Sequence, residues 1–348
     1  MPYAWGSHEL IQDLTGLGAF GEPAAELWFG SHKTSPSQIV SGGTGLLSDH
    51  HPDLGFLVKF LAAAKPLSIQ AHPSKERAGV QFANNHPSYA DANHKPEMII
   101  AITEFEALCG FRDSSAVAAD LKALAAANSE FVPLLQAFEN SGLKGATEFA
   151  FDHNLAHELA LSVTSLSRSR VQMYFQLAEY FPGDVGLVVG TLLMNHVRLA
   201  PGEALYLPAG NIHAYLKGLG VEVMASSDNV LRGGLTSKPI DVAELMAVLD
   251  FSSTLEPRVQ AKELAKGLIH YPSTAKDFSV YGVDVSAGNM LIDLELNGSM
   301  IVVCVSGDLE ISTSKEEYLR LSKGQAAFVS DARLFSITGS GSGYLAMG

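Results

Sequence analysis

Cysteine, positive charge and long apolar runs are all scarce in this chain. Among 348 residues there are two cysteines, Cys109 and Cys304. They cannot build a disulfide framework and suggest a reducing compartment. Lys and Arg number 23 against 37 Asp and Glu, for a formal net charge of −14. A surface this acidic argues against broad binding of nucleic acid or of an anionic membrane, which needs basic stripes. An anionic small substrate remains open, because a few placed cations can dominate locally. The stretch from Phe181 to Met194 is broken by Pro182, Gly183, Asp184, Gly186 and Gly190. No apolar run approaches the roughly 18 residues of a membrane span. The start, Met1 to Gly6, has no basic n-region and no apolar h-region, so no secretory signal is readable. A cytoplasmic protein is expected. Nothing demands an oligomer, so a monomer is expected too.

What is present is a globular composition, 47% apolar and 17% charged. That rules out a disordered chain, and the length suggests two domains or three. Residues 1–112 read as short strands between Gly, Pro, Asn and Ser clusters. Examples are Phe56 to Phe60, Leu67 to His72 and Glu97 to Ile102, a pattern of sandwiches or barrels. At Asp113-Ser114-Ser115 the pattern changes to a helix start, and Val117, Leu121, Leu124 and Ala125 follow at helical spacing. Helical patterning runs to about Tyr180, with a break near Ser141-Gly142 and Gly145. Strands return from about Leu192, including Glu203 to Leu207, Ile212 to Tyr215 and a following strand from Val221 to Ala225. Ile240 to Asp250 reads as a helix starting at Asp241. From Asp277 onward the text is again strands and turns.

The two β regions carry a faint repeat. Gly202, five residues, Pro208-Ala209-Gly210, two residues and His213 make the first copy. Gly324, five residues and Ser330-Asp331-Ala332 make the second, without the Pro-x-Gly turn or the histidine. Two related barrels, one equipped and one bare, would produce this; so would chance, since such turns are common in β proteins.

Gln70 and His72 are two apart in a strand-like run, so their side chains share a face, and Ser68 shares it. Lys95 and Glu97 form a second such pair, after His94. His213 follows the Pro-x-Gly turn, with Glu222 on the following strand. His72, His213, Glu97 and a neutral Gln70 would make a mixed nitrogen and oxygen site suited to zinc or another divalent metal. A histidine in a strand is more often a hydrogen-bonded structural residue, so spacing alone leaves the metal open. His8, His32, His50, His51, His86, His153, His157, His196 and His270 lack a comparable setting. Residues 228–238 place Arg232 and Lys238 around Gly233-Gly234 and two hydroxyl residues. Glycine admits close approach and Arg offers a planar fork for phosphate oxygens, although an exposed loop with ordinary surface cations would look alike.

At these residues the sequence resembles the type I mannose-6-phosphate isomerases (phosphomannose isomerases). Matching segments are Tyr3 to Ser7, Ala25 to Trp28, Leu67 to Pro73, Asn93 to Glu97, Pro208 to Tyr215 and Ser227 to Lys238. They occur in family order across about two thirds of the chain. The resemblance implies a mainly β bicupin, two jelly-roll barrels with an inserted α-helical domain. The expected boundaries are 1–112 plus 190–250 for the catalytic cupin, 113–189 for the helical insertion and 251–348 for a degenerate second cupin. It implies one zinc ion held by Gln70, His72, Glu97 and His213. It implies catalytic parts for Arg232, Glu222, Lys95 and His94, and a substrate phosphate near Ser68, Arg232 and Lys238. The expected activity interconverts mannose 6-phosphate and fructose 6-phosphate, so the partner is a small phosphorylated sugar. A metal-cupin oxygenase and a non-catalytic sugar-phosphate binder are the alternatives. Lys217 stands where the cupin pattern usually has Asn, and Ser31-His32-Lys33 departs from the family's usual Ala-His-Pro.

Overall fold

The computed structural model describes residues 1–18, 21–255, 257–287, 291–295, 298–313, 317–330 and 334–348. The first two thirds of the chain hold ten antiparallel strands: β1 (Pro2–Ser7), β2 (Glu26–Phe29), β3 (Phe56–Ala63), β4 (Gln70–Ala71), β5 (Glu97–Ala101), β6 (Phe105–Phe111), β7 (Met194–Leu199), β8 (Ala204–Leu207), β9 (His213–Ala225) and β10 (Leu231–Arg232). The sequence reading divided β9 into two strands, but it is one strand of 13 residues. A strand has only two edges, yet β9 pairs with four others. Its first part lies against β4 and β6; from Gly218 on it lies against β3 and β5. Gly218 has a φ of +123°, and a Cβ there would come within 2.6 Å of the Glu104 carbonyl oxygen. A glycine at this crossover looks like a strand break in sequence, but it carries the strand from one layer to the next. His213 and Glu222 are therefore on one strand, not two.

Alternation sets which side chains face the site. Ile69 and Ala71 are buried in the core beneath the helices. Ser68, Gln70 and His72 fall on the other face of the same segment. In β3, Phe56, Val58, Phe60 and Ala62 pack against the C-terminal sheet. Leu61 and Ala63 line an inner core with Phe105 and Tyr215, and Lys59 shares their parity.

Between β6 and β7 lie the helices Ser114–Ala127, Val132–His153, Ala156–Ser162 and Arg168–Ala178. Asp113 caps the first, accepting from the backbone N–H groups of Ser115 and Ala116. The second breaks at Ser141 and Gly142, where φ reaches +60° at Gly142. Asp241 caps Val242–Val248. The strand-only reading of residues 1–112 missed the helix Lys75–Ala83, which Ser74 caps. Its apolar spacing is weak, and only Ala78 of the helix is buried. The run Leu67 to His72 forms a strand only at Gln70–Ala71.

The C-terminal residues form a six-stranded sheet, Lys262–Ala265, Leu268–Tyr271, Ser279–Asp284, Ser342–Met347, Ser299–Ser306 and Ala326–Ser330 in spatial order. A four-stranded sheet of Leu291–Glu295, Leu334–Gly339, Asp308–Thr313 and Tyr318–Ser322 accompanies it. Val302, Cys304, Leu309 and Ile337 share the core of this unit. Gly202 and Gly324 have φ values of +86° and +85°, and each leads into a strand. Asp331 and Ala332, the tight turn of the second copy, lie outside the described residues. No helix among the described residues is long and apolar enough to cross a membrane.

Candidate metal and sugar-phosphate site

Gln70 on β4 pairs directly with His213 at the start of β9. His72 follows Gln70, and Glu97 opens β5. His72, Glu97 and His213 are buried, and each offers a ligand atom within 4.8 Å of the others. Glu97 Oε2 lies 3.3 Å from Nε2 of His72 and 3.3 Å from Nε2 of His213. The Gln70 amide is 3.2 Å from His213 Nε2. Its nitrogen and oxygen exchange by a half-turn, so Oε1 can occupy that place.

The hydrogen bonds fix the tautomers. Nδ1–H of His72 donates to the Asn229 carbonyl at 2.7 Å, and Nδ1–H of His213 donates to the Asn211 carbonyl at 3.1 Å. A carbonyl only accepts, so in each neutral ring the proton is on Nδ1 and Nε2 presents a lone pair. Burial pushes His72 down to about 4, which keeps it neutral. Burial alone would push Glu97 up. Lys95 above all holds it well below the usual carboxylate range. Lys95 Nζ is 2.8 Å from Glu97 Oε1. His72 Nε2 and Glu97 Oε2 are thus acceptors with no hydrogen-bond partner, and His213 Nε2 faces only the Gln70 amide. Converging buried acceptors call for a cation. Ligands at zinc distances on a tetrahedron stand about 3.3 Å apart, which is the spacing found. The donor set therefore fits zinc.

Beside this cluster runs a charged rung. Trp28, Lys59 and Glu222 are consecutive partners across β2, β3 and β9. Lys59 Nζ lies 3.2 Å from Glu222 Oε2 and 3.4 Å from Glu26 Oε1, and 4.8 Å above the Trp28 ring. The Tyr215 hydroxyl donates to Glu222 Oε1 at 2.9 Å. Burial pushes Glu222 up and the nearby Glu97 adds to the rise, with Lys59 opposing. Burial works against the Lys59 charge, but Glu222 and Glu26 overcome it and raise its pKa. Sequence reasoning missed Lys59, Glu26 and Tyr215. The available signal was a lysine inside the apolar run Phe56 to Phe60.

Arg232 on β10 pairs directly with Gln70. Opposed residues of an antiparallel pair share a face, so Arg232 lies on the face of Gln70 and Ser68. With Tyr89, Asp228, Leu231 and Asp241 it lines a cavity of ≈ 350 Å³. Ser68 is half-buried and Lys238 exposed. No hydrogen bond or ion pair holds the Lys238 side chain among the described residues; only its backbone N–H is tied, to Thr236 Oγ1. His94 is not at the metal cluster. Its Nε2 lies 2.9 Å from Asp277 Oδ2, a carboxylate of the C-terminal β unit. His32, set aside on sequence, is buried with Nε2 3.2 Å from Asp228 Oδ1.

The profile described as "Phosphomannose isomerase type I, catalytic domain" matches residues 1–114. The mannose-6-phosphate isomerase of Escherichia coli K12 is 32% identical over 382 residues, covering 99% of this chain and 96% of that protein. The chain belongs to the type I phosphomannose isomerase family. A phosphomannose isomerase from Salmonella typhimurium, solved as a point variant, superposes with a TM-score of 0.91 at 32% identity, covering 100% of this chain and 97% of that one. A zinc-bound mannose 6-phosphate isomerase gives 0.90 at 32% identity over the same shares. Membership of this family supports an isomerase and disfavours both the oxygenase and the non-catalytic binder.

Proposed function

We infer that the chain is a zinc-dependent mannose-6-phosphate isomerase, interconverting mannose 6-phosphate and fructose 6-phosphate. The observation that carries this reading is the convergence of two imidazole lone pairs and a carboxylate oxygen, beside a buried carboxylate whose pKa is raised. Gln70, His72, Glu97 and His213 would hold the zinc. When bound, the ion supplies a Lewis acid for the oxygens on C1 and C2 of the open-chain sugar.

The chain's own groups do the rest. The C2 proton of an aldose is a weak acid, so it needs a placed base and a home for the charge that develops on the oxygens. Glu222 is that base. It takes the proton from C2 and returns it to C1, while the O2 proton passes to O1, leaving a ketone at C2. Its raised pKa suits both halves of the transfer. Lys59 and Tyr215 hold its two oxygens in place. Lys95 and Arg232 stabilise negative charge along the sugar edge. His94, oriented by Asp277, assists ring opening. Ser68, Arg232 and Lys238 hold the phosphate, whose remote binding energy positions the reacting carbons.

We read the two β units as cupin barrels, with 1–112 and 190–250 catalytic, 113–189 inserted and 251–348 the second barrel. The paired glycines Gly202 and Gly324 support the relationship. A single chain carries every group named, so a monomer suffices. Two free, buried thiols suit the cytoplasm. The test is a coupled assay of fructose 6-phosphate formation before and after chelation, with zinc restored. Activity should vanish on chelation and return with zinc. A chain with one bound zinc and no isomerisation overturns the reading.

A further inference from the structure

We propose that Asn229 is a positioning residue that ties the two metal-bearing segments to each other and thereby sets zinc affinity. The inference rests on the metal reading of His72, Glu97 and His213. Asn229 is fully buried, and all its polar groups are engaged. Its carbonyl accepts from His72 Nδ1–H at 2.7 Å. Its Oδ1 accepts from the backbone N–H groups of Ala90 at 2.8 Å and Asp91 at 3.3 Å. Its Nδ2 donates to the carbonyls of Asp91 at 2.9 Å and Asn93 at 2.8 Å, and to Asp91 Oδ1 at 3.2 Å. Its own N–H donates to Ser227 Oγ at 3.2 Å.

One residue therefore grips both sides of the site. Its main chain orients the His72 imidazole and fixes its tautomer. Its side chain clasps residues 90–93, the segment that runs into His94, Lys95 and Glu97. Asp91 closes the clasp from the other direction, accepting from Ser227 Oγ at 2.9 Å and from the Asp228 N–H at 2.8 Å. Partners that orient metal ligands typically govern affinity by 10–100-fold. The surroundings of the side chain ask for an acceptor at one end and a donor at the other. Only a carboxamide of this length supplies both. An aspartate keeps the volume and the Oδ1 bonds, but it turns an acceptor toward two carbonyls and a carboxylate.

The test measures zinc affinity in the full-length chain by competition with a chromophoric chelator, together with the visible spectrum of the cobalt-substituted protein. The wild type should bind one zinc per chain. Asn229→Asp and Asn229→Ala should bind zinc 10–100-fold more weakly and show a shifted cobalt band. A purely structural asparagine would lower the unfolding temperature of the metal-free chain and leave the cobalt band in place. Should neither variant fold, Asp91→Asn weakens the same clasp from its partner, and a smaller shift in the same direction is expected. A folded variant with zinc affinity within twofold of wild type and an unchanged cobalt spectrum overturns the proposal. A wild type that binds no zinc overturns the metal reading instead, so the two failures are distinguishable.

Discussion

Lys59 and Glu222 stand directly opposite one another on β3 and β9, and their charged groups meet at 3.2 Å with both side chains buried. Neither would keep its charge there alone. Burial raises the Glu222 pKa, and the Lys59 charge is what opposes that rise.

Replacing Lys59 by Met removes the opposing cation and keeps the volume. The Glu222 pKa should then climb further. A base works only when ionised, so the acid limb of the kcat profile should move to higher pH, and turnover at pH 7 should fall at least tenfold. Stability should fall by about 3–5 kcal/mol, the usual cost of breaking a buried pair from one side. A pH profile of kcat and a denaturant titration check the two parts. An unmoved acid limb would contradict the pairing's role.

His94 and Asp277 join the ten-stranded N-terminal unit to the C-terminal β unit at 2.9 Å. Asp277→Ala frees the imidazole to rotate and should lower kcat by roughly tenfold, as lost orientation does. Zinc content should stay at one per chain, because neither residue touches the metal cluster. Steady-state kinetics with metal analysis check this. Wild-type turnover in the variant would make the C-terminal β unit a scaffold only.

Glu106 fastens the helix Arg168–Ala178 to β6 and β7. Its carboxylate receives Gln176 at 3.1 Å, His196 at 3.3 Å and Arg198 at 3.3 Å. The His196 hydrogen bond chiefly lowers its pKa to about 2. A depressed carboxylate pKa contributes stability that is present above the unfolded value of about 4.3 and lost as pH falls through 2. Glu106→Gln should therefore be less stable at pH 6, by roughly 1 kcal/mol after allowing for solvent screening. The difference should fade between pH 4.5 and 2. Urea midpoints of both chains across that range check it, and a gap that persists at pH 2 would contradict it.

The metal set was open to sequence reading because most of its ligands sit two residues from another ligand or from a charged partner. Gln70 with His72, and Lys95 with Glu97, follow the two-residue period of a strand, and the family motifs join them to His213. The rest of the site depends on register between distant strands. Nothing local in Phe56-Leu57-Val58-Lys59-Phe60 says that Lys59 will face Glu222, or that Asp277 will reach His94 from the other β unit. Asn229 sits inside a motif already noted for its arginine, yet its work is done through carbonyls and N–H groups that composition does not reveal. The division of β9 failed for a related reason. Glycines at 218 and 220 mark a strand's end by propensity, but here they let one strand serve two layers.

The most direct test of the account follows the proton. Mannose 6-phosphate deuterated at C2 is supplied to the zinc-loaded wild type and to zinc-loaded Glu222→Gln, with turnover and the fate of deuterium both read. The wild type should give fructose 6-phosphate, with deuterium at C1 or released to water. The variant should hold one zinc and lose about 10²–10⁴-fold in turnover. A zinc-loaded Glu222→Gln that turns over at the wild-type rate, with the same fate of deuterium, would contradict Glu222 as the group that moves the proton.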